Sequence, residues 1–237
     1  MKTIGEMGFT KADVAFCENG GHIKPSEVLA DPAKVAQRLR AWPGVSMSAF
    51  HIEFADDLPC ETAETQLKAI SRLARVMAAP VVSVVAAKAD SDFAKEVERL
   101  TAFSKICAVD GVTCAVETRV GTLTETPEKT LELCKRVPGL GLVLDPSHYM
   151  VGPAAGRCYD DLFPFVKHVR LRDTGKDAEH FQVRIGQGQI EYGRIITQLA
   201  RYRYNRLLSV AMHDNPQPAY PLQPEVRKLK YLLESLI

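Results

Sequence analysis

The stretch Ala115–Met150, AVETRVGTLTETPEKTLELCKRVPGLGLVLDPSHYM, decides the fold. It reads as strand, helix, strand, and each strand ends in a carboxylate: Glu117 after Ala115-Val116, and Asp145 after Leu142-Val143-Leu144. Both strands are short, nearly continuous apolar runs, the form expected of parallel strands covered on both faces. Thr126-Pro127 opens the intervening helix with a capping hydroxyl and a proline at the first helical position. Two acids at the carboxyl ends of neighbouring parallel strands converge on one pocket, where parallel α/β folds place their chemistry.

Working outward, the same alternation fills the chain. Further strands are expected at Ala12–Phe16, Ser46–Phe50, Val81–Ala86, Lys167–Arg172 and Leu207–Ala211, with those of the central stretch at Thr113–Val116 and Leu140–Leu144. Between them lie helices with one apolar face, such as Val35, Leu39 and Trp42 behind the Asp31-Pro32 cap, and Leu67, Ile70, Leu73, Ala74 and Met77. Such βα repetition means a parallel sheet. Seven strands are visible, whereas a closed (β/α)8 TIM barrel has eight, and the opening MKTIGEMGF reads as a helix. The expectation is an α/β (β/α)8 TIM barrel, its first strand missing or irregular, as one domain over residues 1–237. An open doubly wound sheet is the alternative. The barrel is preferred because the polar strand ends serve one centre.

Composition narrows the function classes. With 30 basic and 29 acidic residues among 237, the chain has no electrostatic surface suited to nucleic acid or to a membrane. Its six cysteines show no CxxC and no regular spacing, and several sit in apolar patterns, so they read as reduced thiols. The sequence shows no signal peptide and no apolar run long enough to span a membrane. These features predict a cytoplasmic protein with a small-molecule partner. An uncovered sheet edge at the missing strand makes a homodimer through that opening one expectation.

Four segments, VETRVGTLTETPE, LGLVLDPSHYM, KHVRLRDTG and IGQGQIEYGRII, resemble the xylose isomerase-like TIM-barrel superfamily, the sugar isomerases and epimerases related to endonuclease IV. The resemblance runs from about Gly8 to the C-terminus. It implies one divalent cation (Mn, Mg or Zn) held by two glutamates, an aspartate and a histidine, with the glutamates moving a proton on carbon beside a carbonyl. Glu117 and Asp145 match two of those ligand positions, and His148 matches a substrate-side histidine. His168 is the first histidine of an HxH pattern whose second, ligating position is Arg170. Ala211 stands where the last glutamate belongs, and Arg119 where relatives often show histidine.

Charge makes these departures a hypothesis. Glu117 and Asp145 with Arg170 sum to the same net −1 as the family's three carboxylates with a dication, and an inward Arg119 brings the sum to zero. A guanidinium cannot ligate a cation but bridges carboxylates through bidentate, charge-assisted hydrogen bonds. We therefore expect Arg170 between Glu117 and Asp145 in the place of the metal, and no cofactor. A solvated rim charge is the other reading of Arg170. A shifted cation site using Glu117, Asp145, His148 and His213 is a fallback, set against a plain loop histidine before Asp214-Asn215-Pro216.

As an enzyme, the chain would use Glu117 as proton-transfer base, with Asp145 and His148 beside it. Arg119 and Arg170 would polarise a carbonyl or hold an anionic group, and His168 would serve as second group or packed core histidine. His51 and Glu53 at a strand end would contact substrate or form a rim salt bridge, and Gln187 in the Gly186-Gln187-Gly188 turn would contact substrate. Asp173 is expected to hold Arg170 or Arg172, or to serve a cap. Glu18 and His22 sit on a glycine-rich loop that covers the pocket or merely connects. Two functions follow: a sugar or hydroxy-keto acid isomerase or epimerase, or a non-catalytic relative that keeps the pocket and binds a carbohydrate-like ligand. A trinuclear zinc nuclease is poorly supported, because few of the six histidines lie at strand ends.

Overall fold

The computed structural model describes residues 2–42, 44–214 and 220–237. The chain begins with a short helix, α1 (Lys2–Glu6), and then alternates: β1 (Lys11–Phe16), α2 (Pro25–Ala30), α3 (Pro32–Arg40), β2 (Ser46–Ile52), α4 (Cys60–Val76), β3 (Val81–Val84) and α5 (Phe93–Val109). The second half runs β4 (Thr113–Glu117), α6 (Pro127–Arg136), β5 (Gly141–Leu144), α7 (Ser147–Val151), β6 (Val166–Leu171), α8 (Tyr192–Arg201), β7 (Leu208–Val210) and α9 (Leu222–Leu236). Each strand pairs in parallel with the next, in the order β1 to β7, giving a nearly closed barrel with flanking helices. The (β/α) barrel is therefore the fold, with seven strands among the described residues and helix α1 where an eighth would begin.

The helix starts follow the local chemistry. The Asp31 side chain accepts from the Lys34 N–H and Thr126 from the Lys129 N–H, each before a proline at the first turn. Apolar residues of the strands' outer faces meet the helices in one continuous core that includes Phe50, Leu67, Leu100, Leu142 and Leu144, all fully buried. The barrel's interior is plugged by a separate small layer: Ala49, Val81, Ala115 and Val143. The register sets His168 beside Val143 of this layer, and above it Ala15 beside His51, His51 beside Ser83, and Arg170 beside Ser209. Small residues below and polar ones above leave room for chemistry at the carboxyl ends of the strands. No described helix is long and apolar enough to cross a membrane.

Three expectations shift. β2 runs on to Ile52 rather than ending at Phe50, β3 stops at Val84 rather than Ala86, and β7 is reduced to Leu208–Val210. β7 has only β6 to pair with, and all three of its residues are half-buried. The Asn215-Pro216 part of the expected turn lies outside the described residues.

Candidate functional site: an arginine-paired carboxylate pocket

The site begins with a strap between two strand ends. The Thr118 hydroxyl accepts from the Asp145 N–H at 2.8 Å and donates to the Asp145 carbonyl at 2.9 Å. Thr124 donates to the Glu117 carbonyl at 2.6 Å. The backbones carrying Glu117 and Asp145 are thereby fixed, and both carboxylates are buried.

Each carboxylate has its own guanidinium. Arg170 donates through Nη1 to Glu117 Oε1 in a very short contact, and its Nε lies 3.5 Å from Asp13 Oδ2. Arg172 donates through Nη2 to Asp145 Oδ2 at 2.5 Å, while Ser147 N–H caps Asp145 Oδ1 at 3.1 Å. Farther out, Arg119 pairs with Glu53 at 2.5 Å, both half-exposed. Four carboxylates (Asp13, Glu53, Glu117, Asp145) thus face three guanidiniums (Arg119, Arg170, Arg172).

The histidines knit this network. His168 Nε2 is 2.8 Å from Asp13 Oδ2 and 3.1 Å from Ser209 Oγ, and Ser48 donates to Asp13 Oδ1 at 2.6 Å. His51 holds Ser83 Oγ at 2.9 Å through Nδ1, with Nε2 at 3.4 Å from Glu53 and 3.6 Å from Glu117. His148 Nδ1 accepts from the Val120 N–H at 3.3 Å, and its Nε2 is 3.9 Å from Asp145. Phe181 lies between two of these groups: its ring centroid is 4.8 Å from that of His148 and 4.6 Å from Arg172 Cζ.

Protonation follows the pairing. Burial on its own would raise the Glu117 carboxyl, but Arg170, helped by His51, His148 and Arg119, outweighs it and holds Glu117 at about 2. Asp13 is likewise driven below the usual carboxylate range despite its burial, by His168 and Arg170. The hydrogen bond from His51 is the main cause that lowers Glu53 to about 2. Burial lowers His148 more than Asp145 and Glu117 raise it, so the ring is neutral at pH 7. With Nδ1 accepting from Val120, that neutral ring carries its proton on Nε2 and presents a donor to the pocket.

Several sequence expectations are corrected by this geometry. Arg170 does not bridge Glu117 and Asp145. It bridges Glu117 and Asp13, because Arg172, two residues on, has taken Asp145. Asp173 holds neither arginine; its Oδ2 accepts the N–H groups of Gly186 at 2.7 Å and Gly188 at 3.1 Å. A side chain at Gly188 would strike Asp173, its Cβ coming 2.1 Å from Oδ1. That turn faces Asp173, so Gln187 is exposed and does not line the pocket. The group Glu117, Asp145, His148 and His213 is not assembled: among the described residues no three or more His, Cys, Asp or Glu are placed to hold a metal ion. His213 is exposed, its backbone held by the Gln182 amide at 2.8 and 2.7 Å. Glu18 does not cover the pocket either; it caps Ser26 at 2.8 Å. His22 lines the pocket and accepts from the Ala15 N–H at 2.9 Å.

Asp13, Arg172 and Phe181 are the site residues that sequence reasoning missed, Arg172 entering it only as a partner of Asp173. For Asp13 a signal existed: an acid in the middle of the strand KADVAF, where parallel strands are otherwise apolar. Phe181 stands in a loop with no periodicity to mark it. Glu117, Arg119, His51, His148, Arg170, Arg172 and Asp13 all line one cavity of about 930 Å³, which continues past the barrel mouth.

A parallel barrel with a polar centre at its strand ends belongs to the class of folds that place their chemistry at the carboxyl ends of the strands. The family model described as xylose isomerase-like TIM barrel matches residues 5–232, and the chain belongs to that family. Solved structures agree in fold. D-psicose 3-epimerase from Clostridium cellulolyticum H10, solved with D-tagatose, is 12% identical with a TM-score of 0.76, covering 99% of this chain and 91% of that one. The probable 3-DHS dehydratase AsbF from Bacillus anthracis is 16% identical with a TM-score of 0.74, covering 98% and 91%. The IolI protein, solved with a zinc atom, is 17% identical with a TM-score of 0.74, covering 99% and 91%. At these identities the likeness concerns the fold alone. Comparison with curated proteins gives no match.

Proposed function

We propose that this chain binds a small carbohydrate-like ligand in a pocket where guanidinium groups take the charge-balancing part that a divalent cation plays in metal-bound relatives. The contact of Arg170 with Glu117 carries this reading. The donor set does not fit a metal: no three ligating side chains converge among the described residues, and a dication on Glu117 would be repelled by the buried guanidinium beside it. Arg119, half-exposed at the mouth, offers N–H groups to ligand oxygens, while Glu53 and Asp13 offer acceptors to hydroxyls. A carboxyl held at about 2 is a weak base, so Glu117 does not take a carbon-bound proton while Arg170 is paired with it. Ligand binding therefore fits this arrangement of charges better than turnover does.

A second reading, isomerisation or epimerisation by proton transfer beside a carbonyl, has one observation in its favour. The neutral His148 points a proton-bearing Nε2 into the space near Asp145, the arrangement needed to polarise a carbonyl oxygen. A ligand that drew Arg170 onto its own oxygens would free Glu117 and raise its basicity. Two measurements separate the readings. Calorimetric titration with a panel of ketoses, aldoses and hydroxy-keto acids should find a ligand whose binding is lost in Arg170→Met; no ligand across the panel would remove the binding reading. Solvent deuterium entering the bound ligand at carbon, and ceasing to enter in Glu117→Gln, would establish the proton-transfer reading in its place.

A further inference from the structure

The three guanidiniums of the pocket are not equally committed. Arg170 gives Nη1 to Glu117 and turns Nε to Asp13 at 3.5 Å. Arg119 is half-exposed at the mouth and already paired with Glu53, so water competes there for its remaining N–H groups. Arg172 is different. It is buried, it lines the cavity, and only its Nη2 is engaged, on Asp145 Oδ2. Its Nε is closed off from solvent, whereas Nη1 stays accessible with no protein partner among the described residues.

This guanidinium is also held still. Asp145 is fixed by Thr118 and by the Ser147 N–H, and the Phe181 ring covers Arg172 with its centroid 4.6 Å from Cζ. The same ring lies against His148, whose Nε2 is 3.9 Å from the Asp145 oxygen that Arg172 holds. Arg172 and the Nε2–H of His148 thus flank one oxygen and make a corner that offers donors. Its acceptor, Asp145, is already taken by Arg172 and Ser147. A sugar hydroxyl both gives and accepts hydrogen bonds, so it uses such a corner only in part. A carboxylate only accepts, and its two oxygens match the fork of an arginine.

The charge of the cavity agrees. With histidines counted as neutral, the centre's four carboxylates and three guanidiniums leave −1. Lys230 and Glu234 cancel in their own ion pair at 2.9 Å, while Lys11 and Arg206, without an ion pair among the described residues, add two positive charges to the same wall. The sum is +1, which favours the entry of one monoanion.

We infer that the pocket's ligand is a carbohydrate acid, a polyhydroxy or keto compound with one carboxylate, and that Arg172 and His148 seat that carboxylate. The inference rests on the ligand-binding reading above and narrows its ligand to a class. A phosphate ester suits the corner less well. It brings three oxygens and about −1.5 to −2 charges at pH 7 beside Asp145, more than one fork and one ring can serve.

Calorimetry on the purified full chain with matched ligands tests this. D-glucose, D-galactose and D-fructose are compared with D-glucuronate, D-galacturonate and 2-keto-D-gluconate, and the two uronates with their uronamides and with glucose 6-phosphate. At least one acid should bind about tenfold or more tighter than its neutral parent and than its amide. Arg172→Gln should erase that ratio, and Arg172→Lys, which keeps the charge and loses the fork, should erase most of it. The ratio is the readout because either variant also disturbs Asp145. If neither variant keeps the wild-type circular dichroism, the uronate against its uronamide on the wild-type chain decides. Neutral sugars or uronamides that bind as tightly as the acids would overturn the inference and leave the ligand-binding reading standing. Glucose 6-phosphate binding more tightly than every acid would also overturn it. No binding by any member of the panel would remove the ligand-binding reading and this inference with it.

Discussion

The β4–β5 wall and the β1–β7 seam are built from the same element, a parallel strand followed by a helix, yet they behave as opposites. At β4–β5 every strand residue from Cys114 to Glu117 and from Gly141 to Leu144 is buried, and Thr118 ties the two ends together. At the seam, β7 is only half-buried, three residues long and paired on one edge. The difference teaches that buried ion pairs are kept where the backbone is over-determined. Glu117–Arg170 and Asp145–Arg172 hang from strands fixed on both sides, and a buried charge pair is tolerable only where its geometry cannot drift. The seam has no such support. What it contributes to the centre, Asp13 and Ser209, is held from β6: both bond His168, and Asp13 also meets Arg170 at 3.5 Å.

The largest effect is expected from cutting the wall's charge balance. Arg170→Met leaves Glu117 and Asp13 buried without their shared cation and should cost about 3–5 kcal/mol in urea unfolding; a cost below about 1 kcal/mol would mean the pair is solvated. Next comes a matched pair of truncations. Leu142→Ala in fully buried β5 should lose about 3 kcal/mol, and Leu208→Ala in half-buried β7 about 1 kcal/mol; equal losses would erase the contrast between wall and seam. Thr118→Val removes one hydroxyl that serves two backbone groups of Asp145, for about 2 kcal/mol. The same charge balance also sets a pH dependence. Glu117 titrates at about 2 in the fold against an ordinary 4.5, so its contribution is complete above pH 4.5 and is lost as pH falls from there through about 2. In Arg170→Met this acid-limb loss should flatten, which paired urea titrations at pH 6 and pH 3 would detect.

How much of this was legible in the sequence depended on the physics each part obeys. The seven strands and the two proline-led caps could be read because apolar continuity and capping are local rules, and Glu117, Asp145 and His148 could be placed because strand ends meet at one mouth. That Arg170 lies against Glu117 also followed from charge. Its other partner did not: Asp13 arrives from β1, 157 residues earlier, and β5 and β6, which carry Asp145 and the two arginines, pair with a register shift between Leu142 and Val143. Such a shift turns side chains without any composition to signal it. Gln187 was misplaced for a similar reason, since a turn's direction is set by the acceptor it finds, here Asp173, and not by its glycines.

On the proposed reading, guanidinium groups rather than a divalent cation balance the pocket's carboxylates. The most direct test of that reading is the metal content of the full chain, purified without chelator and then equilibrated with Mn²⁺, read by mass spectrometry and by the electron paramagnetic resonance of free Mn²⁺. No stoichiometric metal and an unchanged free-Mn²⁺ signal are expected. One bound metal per chain, lost on Glu117→Gln, would contradict it.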